Sequence, residues 1–170
     1  IVAAIEPHDS VERFTGLGVD VEQGHATIVD PWTVDIRRHD GSIQRLTTRS
    51  IVIAAGAAPA IPDIPGLADS GYVTSDTLWE RFAALDHIPE RLVVLGGGPI
   101  GCELAQAYAR LGSEVTQVEM APRLLGREDP EVAELVAASL QDDGVRVLTG
   151  HRAVRVEAAQ GEKRLIAQHG

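Results

Sequence analysis

The sequence predicts an α/β protein in which a βαβ unit with a parallel sheet follows an antiparallel β segment. Two observations carry this expectation. From Arg91 onward, short apolar runs (RLVVL, EVTQVEM, VRVLTG) alternate with stretches of helical periodicity, PIGCELAQAYARLG and DPEVAELVAASLQDDG. Short apolar strands separated by helices pair in parallel through right-handed crossovers. Upstream, GVDVEQG, HATIVD, TVDIRRHDGS and IQRLTTRSIVIAAG alternate apolar and polar positions. That period of two, broken by turn residues, predicts three to five antiparallel strands between about residues 19 and 54.

Taken in chain order, Asp40-Gly41 is the best hairpin turn of the early segment. The prolines and glycines of APAIPDIPGLADSG forbid continuous helix, so this stretch reads as a connecting loop. Ser75 to Asp86 predicts a short helix with Ser75 at its N-cap and Leu78, Phe82 and Leu85 on one face, ended by Ile88-Pro89. A domain boundary is expected there, dividing residues 1–89 from 90–170. In the first long helix Ile100, Leu104, Tyr108 and Leu111 recur at helical spacing, and Gly112 is placed to stop it. In the second, Asp129 caps, Pro130 suits the first turn and Gly144 follows the end. AVRVEAAQGEKRLIAQ predicts a further hairpin turning at Gln160-Gly161.

Composition narrows the function classes. With 170 residues, 44% hydrophobic and 24% charged, the chain can build a packed core. A net charge of −10 without a basic cluster argues against nucleic-acid and anionic-membrane partners. No apolar run approaches the ~20 residues of a membrane span and the opening residues form no leader, so the chain reads as cytoplasmic. The single cysteine, Cys102, can form neither an internal disulfide nor a dithiol centre. The six histidines, at 8, 25, 39, 87, 151 and 169, lack metal-ligand spacing, and no metal site is expected.

The chemistry concentrates in Gly96-Gly97-Gly98-Pro99-Ile100-Gly101, a G-x-G-x-x-G that follows the strand Leu92 to Leu95 and opens a helix. The next strand ends in Glu119, 18 residues after Gly101. This context is that of a Rossmann-like dinucleotide site. Gly96 allows the tight turn, Gly98 lets a pyrophosphate approach the backbone, and Gly101 lets helix and strand pack closely. The phosphates take the helix N-terminus, and Glu119 accepts from the adenosine ribose hydroxyls, which favours NAD over NADP. Arg123 and Arg127, close after Glu119, are the residues that could instead serve a 2′-phosphate. Cys102 reads as a small buried hydrophobe, and Glu103 as an acid favoured by the helix dipole with or without a function.

RLVVLGGGPIGCELAQAYARLGSEVTQVEMAPRLLGREDPEV resembles the nicotinamide-binding domain of the flavin-dependent pyridine nucleotide-disulfide oxidoreductases, such as dihydrolipoamide dehydrogenase, glutathione reductase and mercuric reductase. SIVIAAGAAPAIPDIPGL is similar to the segment that closes that family's flavin domain, and PHDSVERFTGLGVDVEQGHATIVDP to members grouped with mercuric reductase. The resemblance implies a fragment: residues 1–89 as the C-terminal part of an FAD-binding domain, and 90–170 as a truncated NAD(P)-binding domain. It implies that Ala55, Gly56 and Ala57 lie near FAD, with Ala55 where the family usually has threonine. It implies that Glu103 stands beside the flavin and pairs with a lysine, and that Pro99 replaces a flavin-shielding tyrosine of some relatives. It also implies a homodimeric parent that passes hydride from NAD(P)H through FAD to a disulfide or similar acceptor, the fragment alone being catalytically incomplete. A flavin-linked NADH dehydrogenase or ferredoxin reductase fragment, and a flavin-free NAD(P)-binding module, are the competing readings.

Overall fold

The computed structural model of the chain describes residues 6–159 and 161–170. It divides into two compact units between Gly56 and Ala57. In the first unit a 3-10 turn, Glu6–Asp9, leads into helix α1 (Val11–Gly16), which the sequence patterning did not announce. Its local cause is Ser10, whose extended backbone lets the side chain accept from Arg13 N at 3.2 Å. Strands β1 (His25–Asp30), β2 (Thr33–Arg37) and β3 (Ile43–Thr47) form an antiparallel sheet in that order, three strands at the lower end of the expected number. The β2–β3 turn runs through Asp40 and Gly41 as expected, with Asp40 Oδ1 accepting from Ser42 N at 2.9 Å. Across the pair, Asp35 faces Arg45 and accepts two hydrogen bonds of 2.7 Å. Residues 51–54 form no strand, and Val52 and Ile53 are 88% and 76% exposed. An apolar β-branched run specifies a willing strand but not the neighbour it needs.

In the second unit α2 covers Leu78–Ala83, shorter than Ser75 to Asp86. Ser75 does not cap it; Thr77 Oγ1 instead accepts from Thr74 N at 2.9 Å in the preceding turn. Leu78 is buried and Phe82 meets Tyr108 edge-on at 5.3 Å, whereas Leu85 lies beyond the helix and is half exposed.

The parallel sheet consists of β4 (Arg91–Leu95), β5 (Glu114–Val118) and β6 (Arg146–Leu148), with α3 (Pro99–Arg110) and α4 (Pro130–Asp142) as the intervening helices. Cys102, Ala105, Val115, Leu124, Leu140 and Val145 form its core, with Leu92, Val94 and Val147 packed against them. Alternate residues of each strand thus supply the helix-facing surface. Gly112 and Gly144 follow the helix ends with φ of 106° and 88°, and Asp129 caps α4 by accepting from Glu131 N at 3.0 Å. The helices are clamped near their C-termini, where Asp143 Oδ2 accepts from Gln106 Nε2 at 2.6 Å and pairs with Arg110 at 2.8 Å. Both contacts hold the Asp143 carboxyl below the ordinary aspartate range, the Arg110 contact more strongly.

Strands β7 (His151–Ala159) and β8 (Glu162–His169) pair antiparallel, and His151 and His169 stack edge-on across them at 4.8 Å. Of the expected turn, Gly161 has φ 81°, while Gln160 lies outside the described residues. No helix among the described residues is long and apolar enough to cross a membrane.

Candidate functional site

Because β4 and β5 run parallel in register from Arg91↔Glu114 to Leu95↔Val118, their carboxyl ends lie at one edge of the sheet. Open α/β sheets carry their ligands beyond that edge. Gly96 donates to Val118 O at 2.9 Å and then departs from the strand with φ 108°. Gly98 takes the N-cap of α3 with no side chain to cap it, and Pro99 occupies the first turn. No group among the described residues accepts from the amides of Ile100 and Gly101. They are the free donors that a helix N-terminus leaves.

The glycines differ sharply in what a side chain would meet. A Cβ on Gly101 would lie 2.4 Å from Gly96 O, which is the close helix-to-strand approach expected from the spacing. A Cβ on Gly98 would meet nothing within 4 Å, so the space beside it is open. Gly97 is the glycine whose need the spacing did not reveal. A Cβ there would press on Leu124 Cδ2 at 2.7 Å and Glu119 Cγ at 2.9 Å.

Glu119 reaches back from the end of β5 to this turn. Its Oε2 accepts from Gly97 N and its Oε1 from Ala121 N, both at 2.5 Å. The following loop closes on the same place: Leu125, with φ 49°, donates from its N–H to Gly97 O at 2.7 Å. Arg123 is engaged within that loop, donating to Glu128 O at 3.0 Å and Gly126 O at 2.9 Å. Arg127 is exposed.

Beneath the turn lies Gln117, a residue the sequence reading passed over. Its Nε2 donates to Gly96 O at 3.0 Å and lies 3.5 Å from Cys102 Sγ. The only available signal was a glutamine two residues after Val115, on the same face of the strand. Cys102 is buried, and burial pushes its thiol up against the opposing hydrogen bond from Gln117, with the charges of Glu103 and Glu119 adding to the rise. A thiol so placed is poorly reactive.

Glu103, placed by its spacing as an acid favoured by the helix dipole, is the fifth residue of α3, beyond its first turn; it is exposed and in no ion pair among the described residues. Pro99 and Ile100 are exposed beside it. Ala55, Gly56 and Ala57 are all exposed, with Gly56 at φ 69°.

A parallel sheet with a glycine turn at its carboxyl edge and an acid on the neighbouring strand defines a Rossmann-like α/β protein. Comparison with known proteins is more particular: the chain belongs to the pyridine nucleotide-disulphide oxidoreductase family, whose model matches residues 5–170. It is 34% identical to a mercuric reductase of Staphylococcus aureus over 157 residues, 92% of this chain and 27% of that protein. It is 40% identical to a dihydrolipoyl dehydrogenase of Pseudomonas aeruginosa, covering 88% of this chain and 33% of the relative. Among solved structures it is similar to a NAD-dependent persulfide reductase from A. fulgidus, with a TM-score of 0.71, 34% identity and coverage of 94% of this chain and 31% of the other. The chain therefore spans about a quarter to a third of the length of these curated relatives.

Proposed function

We propose that Gly96 to Gly101 and Glu119 hold the ADP half of a nicotinamide dinucleotide in a flavoprotein oxidoreductase, with NAD(H) preferred over NADP(H). The observation that carries this reading is the anchored Glu119 carboxylate, fixed by two backbone amides at the rim of a turn with open space beside Gly98. Each of its oxygens keeps a lone pair for a ribose hydroxyl. The free amides of Ile100 and Gly101, at the positive end of the α3 dipole, suit the pyrophosphate.

Preference for NAD(H) follows from charge. A 2′-phosphate beside Glu119 meets like charge, and Arg123 is committed to the Gly126 and Glu128 carbonyls, which leaves Arg127 as the exposed cation of that loop. Two charges about 4 Å apart interact by ~4 kcal/mol at the dielectric of a protein surface, so a heavily screened remnant still yields about tenfold discrimination. Isothermal titration of the chain with NADH and NADPH tests this. NADH should bind about tenfold tighter, and Glu119→Ala should erase the difference. Tighter NADPH binding, or a preference untouched by Glu119→Ala, overturns the assignment.

In the whole protein, residues 1–89 form the end of the flavin domain and 90–170 most of the nicotinamide domain. FAD, when bound, relays hydride equivalents from the nicotinamide to a disulfide or similar acceptor. Ala55, Gly56 and Ala57 border it. Glu103, in no ion pair among the described residues and next to the pyrophosphate turn, is available to pair with a lysine on the flavin side. Pro99 leaves the nicotinamide face ungated by any aromatic ring. The parent acts as a cytoplasmic homodimer, and with one cysteine this chain by itself completes no dithiol reaction.

A further inference from the structure

Gln117 is fully inaccessible, and its Oε1 is the one buried side-chain polar atom without a partner among the described residues. Such an atom destabilises a fold, and an apolar residue of similar length removes the penalty. A glutamine kept at this inward position of β5 therefore needs a compensating task.

The other end of the amide supplies it. Nε2 donates to Gly96 O at 3.0 Å, and because a carbonyl oxygen only accepts, the NH2 group and not the oxygen must face it. The next carbonyl is held as well, since Gly97 O accepts from Leu125 N at 2.7 Å and lies 3.6 Å from Cys102 Sγ. Gly97 N is bound to Glu119. Every tie on the first two glycines thus comes from the protein side, and what remains free is the start of α3 with its Ile100 and Gly101 amides. Among the described residues, Gln117 is the only side chain that holds Gly96 O, the carbonyl against which Gly101 packs.

We infer that Gln117 is a positioning residue for the dinucleotide turn. It fixes Gly96 in the conformation that receives the pyrophosphate, and the orphaned Oε1 in the core is the consequence of that tether. The inference rests on the reading that Gly96 to Gly101 bind a nicotinamide dinucleotide. Gln117 touches no part of the ligand; it acts by sparing the turn the ordering that binding would otherwise require.

Stability and affinity should therefore part company on substitution. Gln117→Met and Gln117→Leu remove the unmatched oxygen and the tether together. Thermal melting of the whole chain should show an unchanged or raised midpoint, while isothermal titration shows NADH affinity reduced about tenfold. NADPH affinity should fall by the same factor, because the tether acts on the pyrophosphate turn and not on the 2′ position. If the unsubstituted chain binds neither cofactor, the dinucleotide reading itself is wrong. If it binds and both variants bind equally well, only the tether is wrong. Variants that lose stability and affinity together, or that fail to fold, give Gln117 a purely structural role and also overturn the inference.

Discussion

Gly98 and Gly101 belong to one turn, yet an added methyl group meets opposite surroundings at the two positions. In Gly101→Ala the new Cβ lies 2.4 Å from Gly96 O, a backbone atom already bound by Gln117. It falls about 1 Å short of ordinary contact, and relief requires the start of α3 to lift from the strands. Overpacking of this kind costs about 1–3 kcal/mol, partly offset by the ~1 kcal/mol that alanine gains over glycine in a helix. Because the obstructing atom is backbone and cannot swing aside, the cost takes the upper part of that range, and the net loss of roughly 1–2 kcal/mol lowers the melting midpoint by about 2–8 °C in a chain of this size. Gly98 has φ −76° and ψ 175°, which any residue adopts, and nothing lies within 4 Å of its Cβ position. Gly98→Ala should melt with the unsubstituted chain, yet bind NADH at least about tenfold more weakly, because the methyl group fills the space for the pyrophosphate. Scanning fluorimetry and titration on the two variants give four numbers. Full NADH binding by a stably folded Gly98→Ala, or an unchanged midpoint for Gly101→Ala, would refute the reasoning.

Other outcomes follow from the same geometry. Asp143 is held below the ordinary aspartate range in the folded state, so its stabilising contribution is complete above that range and vanishes as pH falls through the folded value. Asp143→Asn should therefore lower the melting midpoint at neutral pH and converge with the unsubstituted chain as the pH falls through the depressed folded value; a constant gap across the range would contradict this. The buried, upward-shifted Cys102 thiol should resist a thiol reagent until the chain unfolds, and Cys102→Ser should keep NADH affinity within about threefold; rapid native labelling would show that its environment is misjudged. The purified chain should be colourless and show no lipoamide, disulfide or mercuric reductase turnover with added FAD, which a stoichiometric flavin spectrum after gel filtration would disprove.

Features set by short covalent spacing were readable in the sequence. The alternation of strands and helices, the Asp129 cap and the stops at Gly112 and Gly144 depend on residues near one another in the chain, and the placement of Glu119 against the glycine turn on the fixed length of one βαβ unit. The short helices were harder. α1 has six residues and buries none of them, so packing does little to specify it and it depends on the Ser10 cap. α2 stops before Leu85 because neither Ser75 nor the residues after Ala83 complete the pattern with a cap or a buried contact. At the candidate site, the unread contacts are those whose partner is a backbone carbonyl: Gln117 on Gly96, Leu125 on Gly97, Arg123 on Gly126 and Glu128. A carbonyl has no residue type, so nothing in the letters marks it as an acceptor.

The unpaired run at residues 51–54 has a consequence for the chain in solution. Val52 and Ile53 expose most of their surface, and the segment makes no backbone hydrogen bonds among the described residues. An exposed β-branched run with unpaired backbone is a template onto which a second copy can add a strand, which pulls the chain toward self-association. The net charge of −10 pushes copies apart, but that repulsion weakens once the screening length shrinks. Added salt should therefore move this chain from dispersal toward aggregation.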